Sequence, residues 1–117
     1  MLVVDDEPDI LLLHRLNLER AGYQVVLAAD GVKALERIDA DRPDVVVLDV
    51  MMPALDGWGV LDRLRAHPAP PPVVVVSAKS AQEDIDRAMT AGAAAYLAKP
   101  FDSDRLVAIV ASLLPPP

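Results

Sequence analysis

Four short apolar runs in this chain each stop at polar residues, which are of three kinds. The runs end in Asp5 and Asp6, in Asp49, in Ser77 and in Lys99. Runs this short and rich in β-branched residues, set between helical segments, are typical of buried strands in a parallel sheet. The carboxyl ends of such strands share one edge of the sheet, and ligands bind at that edge. The sequence therefore predicts that three carboxylates, a hydroxyl and an ammonium meet at one place.

Strand and helix patterns alternate along the whole chain. Apolar runs predict strands at residues 2–5, 24–28, 44–49, 73–77 and 94–98, and helical segments lie at 9–21, 32–38, 58–66, 81–91 and 102–114. Gly22 and Gly92 are the expected helix stops, and Asp30 and either Asp102 or Ser103 are expected helix caps. Five βα units in strict alternation imply an α/β fold with a doubly wound parallel sheet and right-handed crossovers.

Length and composition are those of one domain. A chain of 117 residues suits a single core, and a hydrophobic fraction of 53% makes a packed interior the expectation. We assign residues 1–114 to the domain and residues 115–117, three prolines, to a tail or the first part of a linker. Because the first strand begins almost at once, we expect that the natural start was shortened or chosen late.

Composition also excludes several classes of function. The chain has no cysteine, which removes disulfides, thiolate metal sites and a cysteine nucleophile and fits a reducing compartment, so we expect a cytoplasmic protein. No apolar run approaches the ~20 residues of a membrane span, and no signal peptide is visible. The formal net charge of -7 argues against direct binding of nucleic acid by this domain.

The residues at the strand ends suit a divalent cation and a phosphoryl group. Asp5 and Asp6 repel each other unless a cation or a proton intervenes, and Mg²⁺ (or Mn²⁺) is the natural partner for carboxylates beside a phosphate. Asp49 would complete the metal site and is also a nucleophile able to form an acyl phosphate. Lys99 supplies a fixed positive charge for the phosphoryl oxygens, and Ser77 supplies a hydroxyl donor.

Each of these residues has an ordinary structural explanation when it is taken alone. An acidic pair in a loop is usually just solvated, a serine after a valine run is ordinarily a strand cap, and Lys-Pro is ordinarily a turn. Their joint placement at the ends of the first, third, fourth and fifth strands is what favours a common site.

The motifs that surround these residues form a pattern over nearly the whole chain. They are Val-Val-Asp-Asp-Glu-Pro at 3–8, Val-Val-Leu-Asp-Val-Met-Met-Pro at 46–53, Asp-Gly at 56–57, Val-Val-Ser-Ala at 75–78, Gly-Ala at 92–93 and Tyr-Leu-Ala-Lys-Pro-Phe at 96–101. With these motifs the chain resembles the receiver domains of response regulators in two-component signalling. The resemblance implies a five-stranded, flavodoxin-like sheet of order 2-1-3-4-5 flanked by five helices.

The resemblance also assigns a role to each site residue. It implies that Asp49 accepts a phosphoryl group from a phosphohistidine on a histidine kinase or a histidine phosphotransfer protein. Asp6 and Asp49 would then bind Mg²⁺ directly with the backbone carbonyl of Met51, while Asp5 helps through water. Ser77 and Lys99 would hold the phosphoryl oxygens. The bond between Lys99 and Pro100 would be cis, which costs only ~0.5–1 kcal/mol for an X-Pro bond.

A switch residue follows from the same resemblance. Ser77 would move to meet the phosphoryl group, and Tyr96, the aromatic of the fifth strand, would swing inward and alter the surface of helix four, strand five and helix five. This is a two-state equilibrium that phosphorylation biases. Taken alone, Tyr96 would simply be a half-buried strand aromatic. A homodimer through the same surface stays possible, because this surface carries mixed charges at Asp84, Asp86, Arg87, Asp104 and Arg105. Ala94 and Ala95, at the start of the fifth strand, have no charge and so argue against salt bridges there across a dimer.

Helix one carries more apolar residues than a one-sided surface helix needs. We expect Ile10, Leu13 and Ala21 to set the inward face, with His14 and Asn17 near it. One or two of Leu11, Leu12 and Leu16 must then face water or a partner. Since the family uses this helix to dock kinases, we interpret the excess as a partner-binding surface, against the alternative of scattered exposed leucines, which are normal. His14 is expected to be a packed or half-exposed residue rather than a phosphohistidine donor, and His67 a plain loop residue.

Other classes of function remain to be weighed. A metal-dependent phosphatase with an aspartate nucleophile usually needs a second carboxylate close after it, and Met51 occupies that position. A pseudo-receiver that only binds partners is the main alternative, although Asp6, Asp49, Ser77 and Lys99 are all present. Apolar Met51 predicts an acyl phosphate that this domain hydrolyses only weakly, so we expect no enzyme in the ordinary sense. The proline end is consistent with a fused output domain, most often a DNA-binding one, and equally with a stand-alone receiver.

Overall fold

The computed structural model describes residues 1–50, 56–79, 81–99 and 101–114. Strands and helices alternate along them in the order β1 (Leu2–Val4), α1 (Pro8–Arg20), β2 (Val26–Ala28), α2 (Gly31–Asp41), β3 (Val46–Asp49), α3 (Gly57–Arg65), β4 (Val73–Ser77), α4 (Gln82–Thr90), β5 (Ala95–Ala98) and α5 (Ser103–Leu113). The predicted elements are all found, and the predicted boundaries lie within two residues of these except at the end of α2.

The five strands form one parallel sheet of order β2-β1-β3-β4-β5. Val3 lies opposite Leu27 on one side and Val47 on the other, and Val75 pairs with Leu48 and Tyr96. This is the strand order that the resemblance implied, and it confirms the doubly wound architecture. The central strands β1, β3 and β4 are buried on both faces, which is why their sequences are continuous apolar runs rather than alternating ones.

The sheet separates two hydrophobic cores. On one face, α1 and α5 pack through residues such as Leu18 and Leu106 against Val3 of β1 and its neighbours. On the other face, α2, α3 and α4 pack through Ala34, Val60, Leu61 and Ala88. Burial of these aliphatic side chains is the main source of stability, at about 25 cal/mol for each Å² of apolar surface removed from water. None of the helices among the described residues is long and apolar enough to cross a membrane.

Local signals account for most of the helix ends. The Asp30 side chain accepts a hydrogen bond from the backbone N–H of Lys33, and Asp102 accepts one from the N–H of Asp104, so both are N-caps. The prediction that α2 ends at Ile38 was wrong, because the helix continues to Asp41. Arg42 then takes a left-handed conformation with φ of 46°, which ends the helix without a glycine.

The inward face of α1 differs from the predicted one. Leu11, His14 and Leu18 are buried, with the i, i+3, i+7 spacing of one helix face. Leu13, which we expected inside, is 50% exposed, and Ala21 is exposed as well. The helix is rotated so that the histidine, not the leucine before it, is buried and stacks on Phe101.

The exposed leucines of α1 form a ridge. The side chains of Leu12 and Leu16 are each 52% exposed, and Leu13 lies beside them. Two of the three leucines that we expected to supply an outward-facing residue therefore do so, while the third, Leu11, belongs to the core.

Candidate functional site

The residues predicted to converge do so at the carboxyl edge of the sheet. Asp5 follows β1 directly, Asp49 is the last residue of β3, Ser77 is the last residue of β4 and Lys99 follows β5. Parallel pairing in register brings the four strand ends to the same level, so residues far apart in sequence become neighbours. The edge therefore carries carboxylates together with the ammonium of Lys99.

Three carboxylates form an acidic cluster. Asp5, Asp6 and Asp49 each place one carboxylate oxygen within 4.8 Å of the others. Asp5 and Asp49 are buried, at 2% and 5% exposure, while Asp6 is more open to solvent. The backbone N–H of Glu7 donates to Oδ1 of Asp5 at 3.0 Å, which orients that carboxylate. Three hard oxygen donors at this separation suit a small divalent cation, so the residues present fit Mg²⁺.

Lys99 is held between two of these carboxylates. Its Nζ lies 3.3 Å from Oδ2 of Asp49 and 3.4 Å from Oδ2 of Asp5. Burial alone would lower the pKa of Lys99, but attraction to Asp49 and then to Asp5 outweighs it and raises the pKa above its ordinary value. The side chain is therefore a permanent ammonium at neutral pH. The backbone N–H of Lys99 also donates to the carbonyl of Ser77 at 2.7 Å, which extends the pairing of β4 with β5.

Ser77 lies beside this group, with its hydroxyl directed to its own loop. The residue is buried, and its Oγ accepts a hydrogen bond from the backbone N–H of Lys79 at 3.1 Å. Ala78 and Lys79 are both exposed, so the chain leaves the core directly after Ser77. The small side chain of Ala78 lines a surface cleft together with Lys99.

Tyr96 is linked to the same loop. The ring is half-buried, and its hydroxyl donates to the backbone carbonyl of Lys79 at 2.6 Å. A single residue of this loop thus contacts both predicted switch residues, because the N–H of Lys79 binds Ser77 and its carbonyl binds Tyr96. Any movement of Ser77 that displaces Lys79 must also disturb the Tyr96 hydrogen bond.

Three of the predictions concern residues outside the described part of the chain. They are the metal-binding carbonyl of Met51, the cis bond between Lys99 and Pro100, and the tail at residues 115–117. These stay predictions.

Sequence reasoning missed two residues that border the site. His14 was expected to be packed or half-exposed, and it is buried, but its place near the acidic cluster was not foreseen. The pKa of His14 lies below its ordinary value, mainly because the imidazole is buried. The charge of Asp5 acts to raise this pKa and the charge of Lys99 acts to lower it, so the imidazole lies near both groups. Gly57, the first residue of α3, approaches the backbone of Asp49 and Val50 so closely that a Cβ would lie 2.4 Å from Cα of Val50. The Asp-Gly pair was the available signal for Gly57. Helical periodicity placed His14 near the inward face, but no sequence signal indicated its place near the acidic cluster.

Comparison with known proteins agrees with this geometry. The family model of the response regulator receiver domain matches residues 1–111. The chain belongs to the response regulator receiver family. The receiver domain is 41% identical over 114 residues to the alkaline phosphatase synthesis transcriptional regulatory protein PhoP of Bacillus subtilis, and 45% identical over 114 residues to the transcriptional regulatory protein PrrA of Mycobacterium tuberculosis. These alignments cover 97% of this chain but 48% and 49% of the relatives, so the receiver spans about half their length.

Solved structures show the same fold. The receiver domain of the Francisella response regulator 1452 matches with a TM-score of 0.92 and 37% identity, over 96% of this chain and 93% of that one. The chemotaxis protein CheY4 of Vibrio cholerae matches with a TM-score of 0.88 and 30% identity, over 97% and 96%. The chain is thus a two-component receiver domain, related to regulators of transcription rather than to classical enzymes. Receiver domains generally bind Mg²⁺ at an acidic pocket, and this one has such a cluster.

Proposed function

We propose that Asp49 is the phosphoacceptor of this receiver domain and takes its phosphoryl group from a phosphohistidine on a histidine kinase or a histidine phosphotransfer protein. The observation that carries the proposal is the buried carboxylate of Asp49 at the end of the central strand, with the ammonium of Lys99 3.3 Å away and two further carboxylates within 4.8 Å. A nucleophile, a fixed cation and a metal-binding oxygen set are the parts that phosphoryl transfer needs.

In the proposed reaction an oxygen of Asp49 attacks phosphorus opposite the leaving nitrogen. The P–O bond forms as the P–N bond to the partner's histidine breaks, and the imidazole leaves with the electron pair and takes up a proton. Asp5, Asp6 and Asp49, with the carbonyl of Met51, would hold the Mg²⁺, which supplies positive charge across the phosphoryl oxygens when bound. Lys99 is ion-paired with Asp49 before the reaction and would hydrogen-bond a phosphoryl oxygen after it.

Ser77 and Tyr96 are the proposed switch. For the Ser77 hydroxyl to donate to a phosphoryl oxygen it must turn toward Asp49, and its bond from the Lys79 N–H at 3.1 Å is then strained or lost. The carbonyl of Lys79 moves with the loop and changes the position of Tyr96. The altered surface would be α4, β5 and α5, where a partner or a second copy could bind. Going from mostly off to mostly on needs ~5.5 kcal/mol of differential stabilisation.

The Leu12, Leu13 and Leu16 ridge of α1 is the proposed docking surface for the phosphodonor protein. All three side chains are about half exposed and lie on the helix beside the acidic cluster, so an apolar partner face on them would bring its histidine to the strand edge.

Because the curated relatives are about twice as long as this chain and are named as regulators of transcription, a fused DNA-binding output domain in a cytoplasmic protein is the arrangement we propose.

The phosphoacceptor proposal is tested by intact-mass analysis after incubation with Mg²⁺ and acetyl phosphate. We expect the parent domain to gain the mass of one phosphoryl group and Asp49→Asn to gain none. The loss of the added mass over time gives the lifetime of the acyl phosphate. We expect this lifetime to be long, with weak autophosphatase activity, because Met51 has no polar side chain to position an attacking water. No gain in the folded parent would refute the proposal and favour a pseudo-receiver that acts only by binding partners.

A further inference from the structure

Helix α1 contacts the residues that follow Lys99 at two points. The imidazole of His14 stacks on the ring of Phe101, with centroids 5.6 Å apart and planes 9° from parallel. One turn further along, Nδ2 of Asn17 donates to Oγ of Ser103 at 2.8 Å. His14 and Asn17 are three residues apart and lie on the same face of the helix. The two contacts together form a clamp, defined by His14, Asn17, Phe101 and Ser103.

The clamp lies where it can govern the position of Lys99. On the amino side, the backbone of Lys99 is anchored by its hydrogen bond to the Ser77 carbonyl. On the carboxyl side, Phe101 comes two residues later, and its ring stacks on His14 of α1. The Lys99 Nζ must reach two carboxylates at 3.3 and 3.4 Å, so a displacement of its backbone lengthens both contacts unless the side-chain torsions compensate for it.

A surface cleft is lined both by Lys99 and by three residues of the clamp, His14, Phe101 and Ser103. It has a volume of about 450 Å³, and the residues that line it also include Ala78 and Leu13. Although His14 lines this cleft, only 6% of the residue is exposed. It is not one of the residues that would touch the phosphoryl group. The ring is therefore held by packing, which is what a positioning role requires.

We propose that His14 is a positioning residue for phosphoryl transfer, which acts through its stacking on Phe101 to hold Lys99 against Asp49. Asn17 supports it through Ser103. The proposal rests on the proposed phosphoacceptor role of Asp49. It adds that α1, the helix on which a partner would dock, is coupled to the ammonium group of Lys99. Misplacement of a catalytic group by about 1 Å can cost ~100-fold in rate, so even partial loosening should be measurable.

The test compares His14→Leu with His14→Phe. Leucine fills the buried space without a flat ring, whereas phenylalanine keeps the ring. We expect His14→Leu to lower the rate at saturating acetyl phosphate about tenfold, and His14→Phe to stay within about twofold of the parent. The affinity for Mg²⁺, measured by calorimetry, should stay within about twofold in both, because the carboxylates do not move. Asn17→Leu, at a half-buried position, is a second variant with the same expected direction should His14→Leu fail to fold.

A spectroscopic measurement tests the clamp without any phosphodonor. The chain has lysines only at positions 33, 79 and 99, so the side-chain NMR signals of Lys99 can be assigned with Lys99→Ala. These signals should shift in His14→Leu and stay near those of the parent in His14→Phe. Equal rates and unmoved Lys99 signals in His14→Leu would overturn the proposal, as would an equal loss of rate in both variants. If the parent takes up no phosphoryl group, the phosphoacceptor proposal fails, while the NMR shifts still decide whether the clamp holds Lys99.

Discussion

Gly57 leaves no room for a side chain at the start of α3. A Cβ at this position would lie 2.4 Å from Cα of Val50, 2.6 Å from the backbone oxygen of Asp49 and 2.8 Å from Cγ1 of Val50. Two of these three atoms belong to the backbone and cannot rotate away. To reach an ordinary carbon–carbon contact, α3 and the end of β3 must separate by about 1 Å.

Gly57→Ala therefore sets two effects of opposite sign against each other. Helix propensity alone would stabilise the protein by up to about 1 kcal/mol, because alanine is the better helix former. Overpacking costs about 1–3 kcal/mol, and the backbone contacts favour the upper end. We expect a net loss of about 2 kcal/mol in the free energy of unfolding, measured by urea denaturation with circular dichroism. The displaced Asp49 should also be phosphorylated more slowly by acetyl phosphate in the folded protein.

Gly22→Ala is the matched control. Gly22 has a φ of 100°, and no atom of the described residues lies within 4 Å of the place that a Cβ would take, so alanine there strains the backbone without crowding the site. It should lose about 1–2 kcal/mol of stability and keep the phosphorylation rate of the parent. A Gly57→Ala protein as stable as the parent, or more stable, would refute the argument from close approach.

Four further outcomes follow from the structure. Leu12→Glu with Leu16→Glu should slow phosphotransfer from the cognate kinase and leave labelling by acetyl phosphate unchanged; equal kinase rates would remove the docking role. Tyr96→Ala should still gain the phosphoryl mass but lose the NMR shifts of α4, β5 and α5 on phosphorylation, and retention of those shifts would exclude it as a switch. Because burial lowers the pKa of His14, the unfolded chain binds more protons than the folded one just below pH 6.5, so stability should fall as pH drops through that window. In His14→Phe the free energy of unfolding should change less steeply with pH between about pH 7.5 and 5.5. An unchanged slope would show that His14 is not the group that titrates. Asp56 accepts the N–H of Gly59 at 3.0 Å as the cap of α3, so Asp56→Ala should lose about 1 kcal/mol by urea denaturation, and no loss would show that water replaces the cap.

The charge pattern on α4 shows where sequence reasoning stops. Arg87 was grouped with residues that could pair across a dimer, but its guanidinium lies 4.0 Å from the centre of the Trp58 ring on α3. Such a contact stabilises by about 0.5–1 kcal/mol at an exposed site. It directs this cation to α3, and no property of the local sequence of α4 indicates that choice.

The carboxyl edge of the sheet could be predicted from the sequence alone. Once the apolar runs are taken as parallel strands, Asp49, Ser77 and Lys99 lie along one edge of the sheet. The resemblance to receiver domains supplied the strand order that makes them neighbours. Helix caps such as Asp30 are equally local, since a side chain and an N–H three residues on suffice. Periodicity, with the strand order that the resemblance implied, was therefore enough to bring these residues to one edge of the sheet.

Only the tertiary structure decided how the helices are rotated against the sheet. On α1 it buries His14 and exposes Leu13, although hydrophobicity favours the reverse. On α3 it brings Gly57 against the backbone of Val50. Rotation of a helix is chosen by the total fit of its surface to the sheet and to neighbouring helices, here to Phe101 of a segment more than eighty residues away. Close packing depends on the shapes of all the packed elements at once. The sequence pattern of one helix describes only the surface of that helix.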